Sequence, residues 1–545
     1  MIKVKVNDKI YEKESPLVLE DLAKELKINA YCATVNNRIH ELTYFLNRDA
    51  DVKFLDLTNA DSINVYTASL RYIIAMAIKN LYPDSIVIFN YSISRSIFCE
   101  IKNIGPINSV VLRKIENEIT KIVESDYLIR RVTMPKEKAL EVYKELGYFD
   151  KAEILKYRPE NTVHFYECNG YLNYMFGYMV PSTGYIKDFK LKLYAPGFLI
   201  QYPRSELGGK IPEFEDAPTF GQALKEANRW GALCEGSYVS QMNHLIEEKK
   251  ELEFINMCET KHNDMLAELG LKIKNDIDNV RLIAIAGPSS SGKTTFTNRL
   301  RIELMTRGIT PLMISIDNYY LTRDKAPKDE DGNPDLEHIN ALDVELFNEQ
   351  MFALINGEEV ILPIFNFETG KREAGPKVKL GPNSPILIEG IHALNDDLTP
   401  SIPAHQKFKI YIAPQAQLHL DDQNPISITD IRLLRRLVRD KKFRNAKAED
   451  TLSMWPSARR GEFRWIYKNQ EGVNYVYNSE LTYELCVLKK YALPMLEEIE
   501  KDSPYYIQAN RLVKFLKYFK DIEDDWIPCN SILREFIGGS SFYRK

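Results

Sequence analysis

The sequence predicts a multidomain protein, with α+β domains at the N-terminus and a C-terminal α/β domain built on a parallel sheet with flanking helices. Three observations support this class. The chain has 545 residues, enough for roughly three to four domains of about 150 residues each. Short alternating strands surround one helical segment in residues 1–65. An apolar run, typical of a buried parallel strand, leads through a glycine-rich loop into a helix at residues 281–305.

Composition and charge exclude several classes of protein. Hydrophobic residues make up 44% and charged residues 27% of the chain, close to the globular norm, which excludes a small disulfide scaffold and a wholly disordered chain. The net charge of −5 argues against a global polyelectrolyte role on nucleic acid, although a local basic patch stays open. The 7 cysteines never form CxxC, which indicates reduced thiols.

A cytoplasmic location without a membrane partner is also expected. The N-terminal residues MIKVKVNDKIYEKE alternate between apolar and charged side chains and contain no apolar segment of the signal-peptide type. Nowhere do about 18 apolar residues follow one another, so no membrane-spanning helix is expected.

Residues 1–65 are predicted to form a β-grasp domain. IKVKV has the alternation of a strand, and PLVLEDLAKELKI has helical spacing with Asp21 and Glu25 on its wetter face. CATVNNRIHELTYFL indicates a strand, an Asn-Asn turn and a further strand. The segment resembles the TGS domain, the small ubiquitin-like module of threonyl-tRNA synthetases and some GTPases.

Residues 66–205 are predicted to begin with an amphipathic helix, SLRYIIAMAIKNLYP, that ends at Pro83. The later string VPSTGYIKDFKL resembles the second accessory domain of threonyl- and alanyl-type synthetases, which hydrolyses mischarged tRNA. That family has two His four residues apart on the first helix, then a Cys and a His four apart before the PSTG turn. The corresponding residues here are Tyr72, Met76, Met175 and Met179.

None of these four side chains can act as a general base, and thioethers are poor ligands for hard metals. The resemblance therefore implies a retained α+β fold that has lost the editing chemistry. Binding of tRNA, another RNA or a nucleotide-like group stays open for this domain, as does a structural or homo-oligomerising role.

Residues 206–280 are predicted to be a helical linker. The segment is polar and has no Pro or Gly between Tyr238 and Leu269. Its histidines, among them His244 and His262, lack the spacing of metal ligands. They are expected on a solvated helix surface.

Residues 281–500 carry the predicted chemistry, beginning with RLIAIAGPSSSGKTTFTNRLRIELM. The stretch from Gly287 to Thr294 fits GxxxxGK[ST] between a strand and a helix predicted through Met305, which is the context that a phosphate-binding loop requires. A chance Lys in a Ser/Gly-rich loop is therefore disfavoured. The predicted ATP-binding residues are Gly287, Ser289, Ser290, Ser291, Gly292, Lys293, Thr294 and Thr295.

Each key position of this loop has a physical role. The two glycines, Gly287 and Gly292, allow torsions that turn backbone N–H groups toward phosphate, and the helix N-terminus adds a positive dipole. Lys293 is expected to reach the β- and γ-phosphates, and the Thr294 hydroxyl to bind Mg²⁺.

Two carboxylates follow later apolar strands. PLMISIDNYYL predicts a strand that ends in Asp317, and PILIEGIHAL predicts a strand that ends in Glu389. Strand ends of this kind meet in the crevice where α/β sheets bind ligands. Asp317 could take a proton from a substrate hydroxyl or help to hold Mg²⁺, and Glu389 stands where a Walker-B carboxylate would. Either residue alone could be an ordinary strand end, but both together beside the loop favour a function.

ITDIRLLRRLVRDKKFRNAK predicts a helix with arginines on one face and Leu434, Leu437 and Val438 on another. Such a stripe suits a lid that closes on phosphates. The alternative is a solvated basic face. The arginines are Arg432, Arg435, Arg436 and Arg439.

These pieces in this order resemble the uridine kinase/phosphoribulokinase family over about residues 280–500. The GPSSSGKTT loop, the S-x-D-x-Y-Y pattern at Ser315 to Tyr320, the EG strand end and the RRLVRD helix all match. With the N-terminal domains, the chain resembles bacterial nucleoside or uridine kinases in which synthetase-like domains precede the kinase. The resemblance implies a catalytic base at Asp317, ATP held by the loop and Lys293, and Mg²⁺ held by Thr294 and Glu389. It also implies phosphate and substrate contacts from Arg436, Arg439 and Arg444.

The substrate positions depart from that family. Its F-D-H-P-D-A motif is here Leu336 to Ala341, with Glu337 still able to bind two ribose hydroxyls. The family's Tyr and His that contact the pyrimidine are replaced by Phe365 and Gly370, and a later lid Arg is replaced by Ala446. The predicted substrate-binding residues are Glu337, His338, Phe365, Arg372, Arg436 and Arg444.

The expected function is phosphorylation of a small-molecule hydroxyl, with a nucleoside such as uridine or cytidine as the first candidate acceptor and a non-nucleoside as the alternative. An RNA- or ribosome-associated ATP-dependent switch is a further alternative. Residual aminoacyl-tRNA hydrolysis is disfavoured by the missing His and Cys. Residues 501–545 are predicted to be a helical extension packed on the kinase, without chemistry of its own.

Overall fold

The computed structural model describes residues 1–322, 325–328, 332, 335, 337–366, 369–381, 384–415 and 418–542. Leu336, the first residue of the predicted substrate motif, lies outside this range. Within the described residues, no helix combines the length and the apolar character that crossing a membrane requires.

The N-terminal region is a β-grasp sheet. Its elements are β1 (Ile2–Val6), β2 (Lys9–Lys13), β3 (Leu17–Val18), α1 (Leu19–Glu25), β4 (Cys32–Val35), β5 (Arg38–His40), β6 (Phe45–Leu46) and β7 (Ala50–Leu55). The sheet order is β2-β1-β7-β4-β5, with β1 parallel to β7. Alternate residues of β1 are buried, as IKVKV predicts. Asn36 and Asn37 have φ of 48° and 58°, so the predicted Asn-Asn turn is present.

The second region packs two antiparallel sheets around a long buried helix. Its elements are α2 (Ala60–Leu81), β8 (Ile86–Ile93), β9 (Ser96–Lys102), α3 (Ser109–Glu124), β10 (Arg130–Pro135), α4 (Lys136–Glu145), α5 (Phe149–Leu155), β11 (Thr162–Cys168), β12 (Tyr171–Asn173), β13 (Lys190–Tyr194) and β14 (Gly197–Gln201). The sheet orders are β13-β14-β9-β8 and β10-β11-β12. The helix α2 begins earlier than predicted because the Asn59 side chain caps its first turn.

The positions that correspond to an editing centre are filled by the core of this region. All four side chains are at most 1% exposed, and the Tyr72 hydroxyl donates to the carbonyl oxygen of Tyr171 at 2.7 Å. The four are Tyr72, Met76, Met175 and Met179. They pack as core residues, in keeping with their lack of acid–base groups.

Three helices connect this region to the next: α6 (Pro218–Leu233), α7 (Val239–Glu247) and α8 (Glu251–Asn275). Apolar residues of α8, such as Phe254 and Leu269, join the largest core of the molecule. The predicted solvated surface is wrong for His262, which is buried and shares a hydrogen bond with the carbonyl oxygen of Glu480 at 2.8 Å. This burial follows from the packing of α8 against the C-terminal region. His244 is exposed, as expected.

The C-terminal region has a parallel sheet of order β16-β19-β15-β20-β23. The strands of this region are β15 (Leu282–Ala286), β16 (Leu312–Ser315), β17 (Glu359–Asn366), β18 (Lys371–Lys379), β19 (Ile386–Glu389), β20 (Lys407–Ala413), β21 (His419–Asp421), β22 (Asn424–Pro425) and β23 (Tyr475–Asn478). The pairs β17–β18 and β21–β22 form separate two-stranded hairpins. Its helices are α9 (Lys293–Thr306), α10 (Val344–Ile355), α11 (Ile428–Arg444), α12 (Ala448–Gly461), α13 (Glu484–Glu497), α14 (Tyr506–Leu516) and α15 (Arg534–Ile537).

The hairpin β21–β22 joins the C-terminal region to the second region. Asp421 accepts from the Lys151 ammonium at 2.7 Å, with both side chains at most 1% exposed. The N–H of Phe89 donates to the carbonyl oxygen of Asp422 at 2.9 Å. The two regions therefore share a buried polar contact, which no local sequence pattern predicts.

Candidate active site

The glycine-rich loop lies between β15 and α9, at the carboxyl edge of the parallel sheet, where α/β folds bind ligands. Gly292 has φ of 87°, a left-handed conformation that favours glycine. Gly287 lies against the carbonyl oxygen of Ile412 and leaves no room for a Cβ atom. The path of the loop therefore requires glycine at both positions.

Lys293 begins α9, and its ammonium lies within the loop. It donates to the carbonyl oxygens of Gly287 at 2.8 Å and Pro288 at 3.2 Å. Burial lowers the pKa of this ammonium, and Glu389 and Asp317 oppose the change. Three nearby loop hydroxyls are buried without a hydrogen-bond partner among the described residues. They belong to Ser290, Ser291 and Thr295, and a polyphosphate would satisfy such groups.

Two carboxyl groups stand beside this ammonium. The strand β16 ends at Ser315, two residues earlier than predicted, because Ile316 and Tyr319 turn into the core and leave Asp317 in a 3₁₀ turn. Glu389 ends β19 and accepts from the Ser315 hydroxyl at 3.4 Å.

The pKa values of both carboxyls are shifted upward. Burial raises the pKa of Asp317, opposed by Lys293 and Arg444. Burial, followed by the charge of Asp317, raises the pKa of Glu389 to about 7. Both acids therefore lie in a poorly hydrated crevice beside one ammonium.

The chemistry of this donor set fits Mg²⁺. Mg²⁺ prefers oxygen ligands and usually binds through one or two carboxylates together with substrate phosphates. Glu389 provides a carboxylate, and Thr294 provides a hydroxyl in the first turn of α9. In the part of the chain that the structure describes, no cluster of three or more His, Cys, Asp or Glu residues forms an all-protein metal cage.

Glu337 lies against the end of α12, and its carbonyl oxygen shares a hydrogen bond with the His392 ring at 3.1 Å. Burial raises the pKa of Glu337 to about 7, and Arg436 opposes the change. A Cβ atom on Gly461 would lie 2.8 Å from that of Glu337, so glycine allows this close approach. The His338 ring meets the Trp465 ring edge-on at 4.7 Å.

Phe365 and Arg372 face each other in the β17–β18 hairpin. The Phe365 ring packs edge-on against Tyr320 with centroids 5.8 Å apart. The Arg372 guanidinium donates to the Asp343 carboxylate at 2.8 Å. Arg372 is therefore engaged with an acidic residue of the chain itself, and Gly370 lies in the hairpin turn with φ of 65°.

Three of the four arginines predicted on one face of α11, Arg432, Arg435 and Arg436, are buried, which excludes a solvated basic face. Arg432 is 1% exposed and pairs with Glu462, while Arg435 is 0% exposed and pairs with Glu484 at 2.5 Å. Both also donate to carbonyl oxygens of the loop, Arg432 to Ser289 at 3.0 Å and Arg435 to Ser290 at 3.3 Å. These two arginines support the loop from behind.

The other arginines of α11 share one carboxylate. Asp440 lies 3.3 Å from Arg436, 3.2 Å from Arg439 and 3.2 Å from Arg444. Arg436 also donates to the Ser289 hydroxyl at 3.3 Å. Three guanidinium groups around a single carboxylate leave a net positive charge next to the loop.

Two carboxylates that sequence reasoning missed bind amide groups of the loop and its helix. Glu462 accepts from the N–H of Ser289 at 3.2 Å, and Glu535 accepts from the N–H of Thr295 at 2.9 Å. Their partners are 173 and 240 residues away along the chain. No local spacing could have signalled either contact.

Comparison with known proteins separates the two halves of the chain. Residues 282–471 match the model of the Phosphoribulokinase / Uridine kinase family. The N-terminal region is similar to threonine–tRNA ligases. The relative from Acetivibrio thermocellus is 28% identical over 197 residues, which are 35% of this chain and 31% of the relative. The relative from Clostridioides difficile is 30% identical over 204 residues, which are 36% and 32%.

The chain thus spans about a third of the length of these curated relatives. Among solved structures, a possible uridine kinase from Bacillus stearothermophilus is 20% identical, with a TM-score of 0.25 over 38% of this chain and 100% of that chain.

Proposed function

We propose, on the premise that residues 282–471 are a domain of the phosphoribulokinase/uridine kinase family, that the protein is an ATP-dependent kinase of a small-molecule hydroxyl. The convergence of Lys293, Asp317 and Glu389 beside the glycine-rich loop carries the proposal. A cation, a base and a metal-binding carboxylate next to such a loop are the parts that phosphoryl transfer needs.

In this proposal Asp317 positions the acceptor hydroxyl and takes its proton as the oxygen attacks the γ-phosphorus in line, while the bond from that phosphorus to the β–γ bridging oxygen breaks and ADP leaves. The raised pKa of Asp317 suits a general base, because proton transfer is most efficient when the pKa lies nearer the working pH. Lys293 holds the β- and γ-phosphates. Mg²⁺ bound by Thr294 and Glu389 would supply positive charge against the transferred group.

The net positive charge of the α11 arginines that share Asp440 also has a role in this mechanism. Arg436 and Arg439 would stabilise the charge that spreads over the transferred phosphoryl group, and Arg444 would assist them. Their shared carboxylate, Asp440, holds all three guanidinium groups in place. Catalysis would thus consist mainly of positioning and electrostatics.

A nucleoside is the acceptor that this proposal favours. The Glu337 carboxylate could accept hydrogen bonds from two ribose hydroxyls, and the Phe365 ring offers a stacking surface for a base. The base-specific polar contacts of the family are absent at Phe365 and Gly370, which reduces discrimination between bases. A non-nucleoside polyol stays the alternative acceptor.

A transfer assay with labelled ATP, Mg²⁺ and a panel of nucleosides and sugar alcohols tests the proposal. A labelled nucleoside monophosphate supports a nucleoside kinase, and a labelled product from a non-nucleoside alone supports the alternative. Lys293→Ala should abolish ATP turnover. Asp317→Asn should keep ATP binding while transfer falls by at least about 100-fold. Full transfer by Asp317→Asn would refute the role of that residue.

A second candidate function, an RNA-associated switch, is favoured by a basic cluster outside the kinase site. Arg38, Arg131 and Lys514 come from β5, β10 and α14, and among the described residues none of them forms a salt bridge within 4.0 Å, although Glu41 acts on Arg131 and Glu160 on Lys514 at longer range. Burial and then these three charges lower the pKa of His40 to about 4. The Arg131 guanidinium lies 5.4 Å from the centre of the Tyr178 ring. A cluster of cations with an aromatic ring beside it suits single-stranded RNA.

Binding of tRNA and ATP hydrolysis by the whole protein distinguish the two functions. Low ATPase activity that tRNA stimulates, without a phosphorylated small product, would favour the switch. Arg131→Ala combined with Lys514→Ala should then weaken tRNA binding and flatten its salt dependence. Unchanged binding by this double variant would remove the basic cluster from consideration.

A further inference from the structure

The C-terminal segment, residues 527–542, covers one side of the glycine-rich loop. Ile532 is fully buried, and a Cβ atom on Gly292 would lie 2.5 Å from its Cγ2. Phe536 packs under the Arg435 guanidinium, which lies 5.0 Å from the ring centre. Between these two anchors, Glu535 reaches the first turn of α9.

The amide that Glu535 binds is one that a nucleotide would use. Thr295 is the third residue of α9, and the first four N–H groups of a helix have no partner within the helix. In a phosphate-binding loop these amides receive the phosphates of the nucleotide. The Thr295 N–H instead donates to Glu535 Oε2 at 2.9 Å. A carboxylate and a phosphate cannot both occupy this position.

The Glu535 carboxylate has one favourable and one unfavourable electrostatic interaction in the site. Its charge attracts Lys293 and repels Glu389. A nucleotide phosphate at the same amide would take over the attraction to Lys293. The carboxylate thus occupies a position suited to a phosphate, and a bound nucleotide would have to displace it.

The segment that carries Glu535 forms a loop closed by its own hydrogen bonds. Arg534 donates to the carbonyl oxygens of Asp524 at 2.8 Å and Ile527 at 2.6 Å. The N–H of Ser541 donates to the carbonyl oxygen of Cys529 at 2.9 Å. Gly538 follows α15 with φ of 88° and lies 3.0 Å, measured from a built Cβ, from Lys442 Cε of α11. The segment therefore contacts both the loop and the arginine helix.

We propose that Glu535 is an internal competitor of the nucleotide, so that the C-terminal segment restrains ATP binding until a phosphate displaces its carboxylate. This inference rests on the proposed kinase function and adds a form of regulation to the same site. Any event that moves the segment, such as binding of a partner to it, would raise the affinity for nucleotide.

Calorimetric titration of the full-length protein tests this competition. Glu535→Gln and Glu535→Ala should each bind ATP and ADP about tenfold more tightly than the wild type, because a charge-assisted hydrogen bond no longer competes. Binding of adenosine, which has no phosphate, should not change. Glu523→Gln is the matched control, since its carboxylate pairs with Lys490 at the surface; this variant should bind ATP like the wild type.

The outcomes separate the two proposals. ATP affinity in both Glu535 variants that equals or falls below that of the wild type would overturn the competition and leave the kinase function standing. An equal gain for adenosine would also overturn it, because the effect would then not concern a phosphate. If neither wild type nor variants bind ATP or pyrophosphate, the proposed function fails and the competition fails with it.

Discussion

At the scale of single residues, the candidate site places three carboxyl groups, those of Asp317, Glu337 and Glu389, around the Lys293 ammonium. Burial raises the pKa of Asp317, Glu337 and Glu389, and burial lowers that of Lys293. These groups would be more stable if hydrated. In the proposed function, Mg²⁺ bound beside these carboxyl groups would compensate for their poor hydration.

Replacing Glu337 by Gln should change how stability depends on pH. The Glu337 pKa is raised from 4.5 to about 7, so between these values the folded protein keeps a proton that the unfolded chain has released. The contribution of Glu337 to stability is therefore lost as pH rises through this range, and Glu337→Gln lacks this loss while keeping those of Asp317 and Glu389. Relative to the wild type, the variant should gain about 3 kcal/mol between pH 4 and pH 8, since a pKa difference of one unit is worth about 1.4 kcal/mol.

Urea unfolding at a series of pH values measures this difference. Glu345→Gln, a change in the first turn of α10, serves as the control and should show no such gain. A stability difference between wild type and Glu337→Gln that stays constant over pH 4 to 8 would contradict the raised pKa.

At the scale of elements, α11 shows what a sequence pattern can and cannot tell. The spacing of Arg432, Arg435, Arg436 and Arg439 predicts a common helix face, and that face does meet the loop. The sequence could not show that two of these arginines form ion pairs with buried carboxylates. Glu462 and Glu484 become neighbours of the arginines only in the folded chain. The glycine-rich loop, in contrast, was predictable because all its parts are consecutive.

Arg435→Met should destabilise the protein more than substitutions of the α11 arginines that the proposed mechanism uses, Arg436, Arg439 and Arg444. It leaves the buried Glu484 carboxylate without its cation and removes a donor to the Ser479 carbonyl oxygen at 2.7 Å. Breaking a buried ion pair in this way costs about 3–5 kcal/mol. Chemical denaturation measures the loss, and Arg444→Met, which removes a half-exposed partner of Asp440, should cost about 1 kcal/mol or less.

A double variant makes the Arg435 prediction specific. Adding Glu484→Leu to Arg435→Met removes the unpaired charge, so much of the lost stability should return. If the double variant were no more stable than Arg435→Met alone, the ion pair would not be the source of the loss.

At the scale of the whole molecule, the sequence predicts the order of the regions along the chain better than it predicts the contacts between them. The β-grasp sheet and the parallel sheet follow from local strand patterns and motifs. The hairpin His419–Pro425, which packs into the second region, carries no such signal, nor does Glu535 on the loop. These contacts join residues more than 200 positions apart, and nothing local in the sequence encodes such a pairing.

Lys151→Met tests whether the contact between the β21–β22 hairpin and the second region stabilises the whole protein. The substitution leaves Asp421 buried without its cation, and Asp421 also accepts from the Asn424 amide at 2.8 Å and so organises the hairpin. A loss of about 3–5 kcal/mol is expected on unfolding, together with faster amide exchange at Phe89, whose N–H bonds to this hairpin. Lys156→Met, which breaks only the exposed pair with Glu153, should change neither quantity measurably. Wild-type stability and exchange in Lys151→Met would mean that the two regions are held together by other contacts. Partial recovery when Asp421→Asn is added would instead assign the stabilisation to this buried pair.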